Sequence, residues 1–133
     1  MTRPVLQVQS LGVALDPPRA EVRLVDSVSF DVAAGSALGI VGASGAGKST
    51  LGAALMRLLP PGMHVTPGSR VQLGDQDLAT LDARAMRQVW GQRLAMVFQE
   101  PITALNPAMK VGDQLAEAVL VHGDASGGGR AGR

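Results

Sequence analysis

Cysteine and tyrosine are absent from the 133 residues, and aromatic side chains are limited to Phe30, Trp90 and Phe98. Without cysteine the chain can form no disulfide framework, no thiolate metal site and no cysteine nucleophile. An excess of charge of either sign is also lacking, since 12 Lys and Arg offset 11 Asp and Glu to give a net charge of +1. This balance argues against a nucleic-acid-binding protein, which would present a basic face.

Long hydrophobic runs are missing as well. The longest uncharged run, 32–47, is interrupted repeatedly by glycine and serine and is too short for a membrane-spanning helix. The first residues turn polar too early for a signal peptide. We therefore expect a cytoplasmic chain whose contact with a membrane would go through partner proteins. Because 46% of the residues are hydrophobic, the chain is expected to fold as one domain with one core.

Hydrophobic periodicity predicts an α/β organisation. Alternating apolar residues predict strands at 5–15, at 22–32 with a bend at Asp26-Ser27, and briefly at 71–73. Two short uncharged apolar segments, 37–41 and 94–98, are typical of buried parallel strands. Helical spacing of apolar residues predicts helices at 51–59, 82–90 and 111–122, and either Thr80 or Asp82 is available to cap the second of them. The glycine-rich end, 123–133, is expected to be a flexible tail.

The glycine-rich segment after the first of these buried strands carries the strongest chemical signal. Residues 42–49, Gly-Ala-Ser-Gly-Ala-Gly-Lys-Ser, match the phosphate-loop pattern G-x-x-x-x-G-K-[ST]. Consecutive backbone amides in such a loop can hold a triphosphate, and glycine is needed where the backbone approaches the phosphates closely. The amides and dipole of the following helix act on the same anion. With this composition, a chance match has a probability of roughly 0.3%.

Three side chains of this segment have predicted roles. Lys48 supplies a mobile positive charge between the outer phosphates. Ser49 supplies a hydroxyl ligand for Mg²⁺, which prefers oxygen. Thr50 is positioned to reach the inner phosphate. The predicted ligands are therefore ATP or a related nucleotide and Mg²⁺, and the binding residues are Gly42, Ala43, Ser44, Gly45, Ala46, Gly47, Lys48, Ser49 and Thr50.

Three further segments resemble the ATP-binding subunits of ABC transporters. Residues 28–35, Val-Ser-Phe-Asp-Val-Ala-Ala-Gly, resemble the run that leads into the Walker A strand of that family. Residues 94–107, which contain Phe-Gln-Glu-Pro and Thr-Ala-Leu-Asn-Pro, closely resemble the Q-loop region of the dipeptide, oligopeptide and nickel importer branch. The segment 111–117 is similar to the same branch. The resemblance extends over about residues 5–122.

The resemblance implies a fold and a function. The fold would be the N-terminal half of a P-loop NTPase of the ABC type, with an antiparallel β subdomain and a partial parallel core sheet, over residues 1–122. The function would be ATP binding and, in the complete domain, ATP hydrolysis that energises transport of peptides, nickel or similar solutes. Lys48 and Gln99 would be the catalytic residues, and Gln99 would join Ser49 at the magnesium ion.

Partners are implied in the same way. The loop after Gln99 would contact membrane-spanning permease subunits, and a second ATP-binding subunit would complete a dimer. The protein would then lie on the inner face of the cell membrane through these partners. No nucleic-acid partner is expected.

Several family motifs are missing from the chain. No apolar run after Ser49 ends in the Asp-Glu pair of Walker B, and the signature Leu-Ser-Gly-Gly-Gln does not occur. The aromatic residue that stacks on adenine would be expected near Leu15, where the chain has none. We therefore expect a chain truncated after the Q-loop region, and little hydrolysis by the chain alone, because the group that polarises the attacking water is missing.

Two alternatives stay open at this point. The chain could be a nucleotide-binding fragment that does not hydrolyse ATP, including an inactive truncated gene product. It could also be a different P-loop protein such as a small nucleotide kinase, although Arg84, Arg87 and Arg93 do not lie in a glycine-rich lid.

Overall fold

The structure is a computed structural model that describes residues 4–16, 22–99 and 105–122. The chain divides into two compact units, Met1–Gln88 and Val89–Arg133. The predicted boundary at residue 122 and the predicted tail at 123–133 stay predictions, because the tail lies outside the described residues.

The first unit contains an antiparallel sheet. Its strands are β1 (Leu6–Leu15), β2 (Val22–Val32), β3 (Met63–Val65), β4 (Arg70–Leu73) and β5 (Gln76–Asp77). Strand β1 is central: it pairs with β2 on one side and with β3 and β4 on the other, and β5 extends the sheet from β4. The predicted antiparallel β region is therefore present, although the sequence pattern did not predict the short strands β3 and β5.

The predicted bend in β2 is confirmed. Ser27 has a φ of 49°, and Ser10 on the paired strand has a φ of 48°. The pairing of β1 with β2 shifts register between Val8 and Leu11 and again beyond it. Such irregularities bend a strand pair and increase its twist.

The core of the first unit lies mainly against β1. Leu11, Val13 and Ala14 are completely buried there. The other buried apolar side chains come from the sheet, from the helices and from a single 3-10 turn at Leu78–Thr80: Val8, Val25, Leu51, Ala54, Met56, Val71, Leu73, Leu78 and Met86. Burial of aliphatic side chains of this size contributes about 1.5–3 kcal/mol each, so this cluster is the main stabilising element of the unit.

The described residues contain three helices, each of which overlaps a predicted one. They are α1 (Lys48–Leu55), α2 (Ala83–Val89) and α3 (Val111–His122). Asp82 caps α2 as expected, since its Oδ1 accepts a 2.7 Å hydrogen bond from the amide of Ala85. Helix α1 ends before the predicted residue 59, because Arg57 adopts a φ of 55° and turns the chain.

The two predicted buried parallel strands are not found. Residues 37–41 and 94–98 have no regular strand structure, apart from an isolated bridge between Trp90 and Leu94 in the second unit. Val41 is 93% exposed and Val97 is 96% exposed. A parallel strand is stable only between hydrogen-bonded neighbours, and no described strand lies beside either segment. The partial parallel core sheet is thus not confirmed.

The described residues of the second unit include α3 and the turn at 91–94. Apolar side chains of α3 are largely exposed, among them Leu115, Val119, Leu120 and Val121. Among the described residues, no helix has the length and apolar character needed to cross a bilayer.

Candidate functional site

The glycine-rich segment 42–47 joins the exposed segment 37–41 to the first residue of α1. Gly45 has a φ of 79° and Gly47 a φ of 87°. L-residues with side chains rarely adopt these values, so the motif glycines supply the turns that carry the chain back into the helix. A 3.2 Å hydrogen bond from the amide of Ala46 to the carbonyl of Ala43 tightens the loop.

Gly47 marks the point where the loop meets the sheet. It is the N-cap of α1, and its carbonyl accepts a 2.8 Å hydrogen bond from the amide of Leu51. A Cβ atom at Gly47 would lie 2.6 Å from the carbonyl oxygen of Leu24 and 3.1 Å from Cγ2 of Val25, both on β2. Glycine is therefore required here by contact as well as by φ, and this contact fixes the start of α1 against the sheet.

The side chain of Lys48 folds back onto the start of the loop. Its Nζ donates hydrogen bonds of 2.7 Å to the carbonyl oxygens of Gly42 and Ala43. The ammonium group therefore lies beside the start of the loop, although it is attached six residues later. A positive charge held at this place by two backbone carbonyls is available to an anion in the same loop.

The start of α1 supplies further donors. Leu51 is the first helical residue whose amide donates within the helix, so the amides of Lys48, Ser49 and Thr50 have no helical acceptor. No acidic side chain lies in the first turn, and Gly47 has no side chain to cap it. Positive charge and open amides at a helix N-terminus bind phosphate groups. The hydroxyl of the exposed Ser49 belongs to the same turn.

The donor set of this loop suits a polyphosphate with its magnesium ion. It combines backbone amides, one ammonium and the exposed hydroxyls of Ser44 and Ser49, with no carboxylate in the first turn of α1 to repel the anion. Comparison with known proteins agrees with this chemistry. The family model for the ABC transporter matches residues 25–129, which is most of the chain.

The chain belongs to the ABC transporter family. Membership in this ATPase family implies the P-loop NTPase fold, and it excludes the small nucleotide kinase considered from sequence. The predicted resemblance to the ATP-binding subunits of this family is confirmed.

Curated relatives are ATP-binding proteins of transport systems. The chain is 43% identical over 118 residues to the dipeptide transport ATP-binding protein of Bacillus subtilis, covering 89% of the chain and 35% of that protein. It is 37% identical to a probable D,D-dipeptide transport ATP-binding protein of Escherichia coli, over 92% of the chain and 37% of that protein. It is 39% identical to the glutathione import ATP-binding protein of Escherichia coli, over 92% of the chain and 20% of that protein. The chain thus spans about a third or less of the length of these relatives.

The structure brings the predicted residues 42–50 together in one loop and helix start. Gln99, the other predicted site residue, belongs to the second unit, where it is exposed and lies in a bend rather than at the end of a strand. Its role in this ABC chain stays a prediction. The predicted permease-contacting loop begins with residues 100–104, which lie outside the described residues.

One part of the site was missed by sequence reasoning. Gly47 packs against the carbonyl oxygen of Leu24 and the Cγ2 methyl group of Val25, both on β2. A backbone contact of this kind leaves no motif, because any residue at position 24 presents the same carbonyl. The only available signal was the strand pattern of 22–32, which did not indicate what would pack against it.

Proposed function

We propose that residues 42–50 bind the phosphates of ATP together with Mg²⁺. The observation that supports this most directly is the position of the Lys48 ammonium, 2.7 Å from the carbonyl oxygens of Gly42 and Ala43 inside the glycine loop. The first turn of α1 also has free backbone amides and contains no acidic residue that would repel a phosphate. Together they form a cationic donor site for a polyanion.

Each residue has a distinct proposed role. The amides of the loop and of Lys48, Ser49 and Thr50 hold the inner phosphates, and Lys48 neutralises charge on the outer ones. The Ser49 hydroxyl is a ligand of Mg²⁺, which supplies charge neutralisation across the phosphates when it is bound. We assign Gln99 as a second, neutral oxygen ligand for this ion. The assignment of Gln99 rests on the family pattern.

For the protein of which this sequence forms part or all, we propose the function of an importer ATPase. ATP binding and hydrolysis would drive transport of peptides or similar solutes, as the names of the dipeptide and glutathione relatives indicate for those proteins. Its partners would be permease subunits, reached through the loop after Gln99, and a second ATP-binding subunit. The protein would then lie at the inner face of the membrane.

The 133 residues alone are proposed to bind ATP without turning it over. They contain neither an Asp-Glu pair after an apolar strand nor the Leu-Ser-Gly-Gly-Gln signature. A carboxylate at the first of these positions polarises the attacking water in phosphoryl transfer. Binding and hydrolysis are therefore separable in this chain.

The binding proposal is tested by titrating the chain with ATP and Mg²⁺, using calorimetry. The chain contains only two lysines, Lys48 and Lys110, which provides a matched control. Lys48→Ala should weaken binding by about 10- to 100-fold, because it removes a charge-assisted contact worth about 1.5–3 kcal/mol. Lys110→Ala removes the same charge far along the sequence and should leave the affinity unchanged. Equal affinities for the two variants would refute the proposed role of the loop.

A further inference from the structure

The end of α1 opposite the phosphate loop contains a feature that the ATP-binding proposal does not use. Arg57 is not a glycine, yet it has a left-handed φ of 55°. Its amide donates to the carbonyl of Ala54, and the amide of Leu58 donates to the carbonyl of Ala53. These two hydrogen bonds form a Schellman motif, in which the left-handed position strongly favours glycine. For the backbone alone, glycine would be more favourable than arginine at position 57.

The side chain of Arg57 accounts for this choice. Its Nη1 donates hydrogen bonds to the carbonyl oxygens of Leu78, at 2.9 Å, and Leu81, at 2.7 Å. These carbonyls lie within and directly after the 3-10 turn Leu78–Thr80, whose Leu78 side chain is fully buried. One guanidinium group thus ties the end of α1 to a fixed part of the core, 21 to 24 residues later in the sequence.

Apolar packing at this end of α1 is incomplete. A cavity of about 200 Å³ is lined by Ala54, Leu55 and Arg57 on one side and by residues of the sheet and the 3-10 turn on the other, including Leu11, Val71 and Leu78. This cavity is partly open to solvent, so the side chains on its two sides make fewer dispersion contacts with one another than they would in a filled core. The two hydrogen bonds of Arg57 therefore add to the restraint that the buried Ala54 and Met56 give to this end of the helix.

The opposite end of α1 is held at one point, about which the helix can still turn. Gly47 lies against the Leu24 carbonyl, as described above. A helix of eight residues is about 12 Å long and moves as one body. Any rotation allowed at its last turn therefore changes the direction of the amides in its first turn.

We propose that Arg57 is a positioning residue that holds α1, and through it the phosphate-binding amides, in the orientation that binds nucleotide. This inference rests on the function proposed above for residues 42–50. Arg57 touches no phosphate in this scheme and acts only through the helix.

Three substitutions separate the guanidinium contacts from the backbone strain. Arg57→Met keeps the left-handed strain and the aliphatic stem but removes both hydrogen bonds. Arg57→Gly removes the strain and the hydrogen bonds together. Arg57→Lys keeps a charge that can reach one carbonyl. Circular dichroism establishes that each variant is folded, and Arg57→Lys, as the mildest change, decides the question if the other two unfold.

The first readout is amide hydrogen exchange at Leu51, relative to Val13 in β1. We expect Arg57→Met and Arg57→Gly to accelerate exchange at Leu51 relative to Val13, and Arg57→Lys to be intermediate. The second readout is ATP affinity, which should fall roughly fivefold in the Met and Gly variants. If Arg57 acted only as the cap of its own helix end, Arg57→Gly would instead stabilise that end, because glycine adopts the left-handed conformation without strain.

The proposal is overturned if exchange at Leu51 and ATP affinity both stay within about twofold of the unaltered chain in every folded variant. It is also overturned if the changes in exchange are confined to residues 57, 58 and 78–81. If the unaltered chain binds no ATP, the function proposed for the loop fails. Exchange at Leu51 then still decides whether Arg57 positions the helix.

Discussion

Gly47 approaches Leu24 so closely that a Cβ atom at position 47 would lie 2.6 Å from the Leu24 carbonyl oxygen. Two non-bonded atoms do not tolerate this distance, and the contact involves rigid backbone rather than a flexible side-chain end. The second glycine of the phosphate-loop pattern is thus required by the sheet behind it as well as by the loop. This relationship joins the candidate site to strand β2 of the antiparallel sheet.

We therefore expect Gly47→Ala to destabilise the protein by about 2–4 kcal/mol, because backbone strain at positive φ and an overpacked contact add together. Urea unfolding measures the loss. Gly35→Ala is the matched control: Gly35 also has a positive φ of 69°, but a Cβ there would meet nothing within 4 Å. It should cost only the strain, about 1 kcal/mol. Equal losses for the two variants would contradict the close approach to Leu24.

The Ser49 hydroxyl is predicted to matter only when magnesium is present. Ser49→Ala should remove most of the increase in ATP affinity that Mg²⁺ produces, while affinity in EDTA stays unchanged, because the hydroxyl is a ligand of the cation. Calorimetric titrations with and without Mg²⁺ give both values. Ser44→Ala, in the same loop, keeps its backbone amide and should retain the Mg²⁺ effect. A loss of affinity in EDTA for Ser49→Ala would argue against a metal role.

Elements that depend on the residues of one short segment could be predicted from the sequence. The alternating pattern of 22–32 and the helical spacing of 111–122 appear as β2 and α3. The cap at Asp82 and the break at Ser27 also follow from local chemistry. The glycine loop belongs to this group, since its turns depend on residues within it.

Prediction failed where an element depends on neighbours. The segment 37–41 has the composition of a buried parallel strand, but composition alone supplies no hydrogen-bonding partner. The segment 94–98 fails for the same reason, and Gln99 is consequently not placed at a strand end. The contact of Arg57 with the carbonyls of Leu78 and Leu81 could not be predicted either, because it is made to backbone far along the sequence.

The exposed valines of these segments lead to a further prediction. Val97 is 96% exposed, whereas Val13 is completely buried. Val97→Lys should change stability by no more than about 0.5 kcal/mol and should reduce self-association, because it removes exposed apolar surface. Val13→Lys should unfold the protein, since it places an unpaired charge in the core. Thermal melting and light scattering provide the two readouts, and loss of the melting transition in Val97→Lys, as expected for Val13→Lys, would contradict the described exposure.

Hydrolysis by the 133 residues is expected to stay near the buffer rate, even at saturating ATP and Mg²⁺. The chain carries no Asp-Glu pair after an apolar strand to polarise water, so bound ATP has no activated nucleophile. A coupled phosphate-release assay measures this directly, with Lys48→Ala as the control for contaminating ATPases. Turnover that is clearly above buffer and abolished by Lys48→Ala would show that a water-activating group has been overlooked.

Binding of a polyphosphate by residues 42–50 can be followed through backbone amide NMR shifts recorded during titration with ATP and Mg²⁺. We expect the largest shifts to fall on the amides of 42–50 and to saturate with one bound nucleotide. The amides of α3, Val111–His122, should shift little in the same titration. Saturating shifts that avoid 42–50, or no shifts at millimolar nucleotide, would contradict the account.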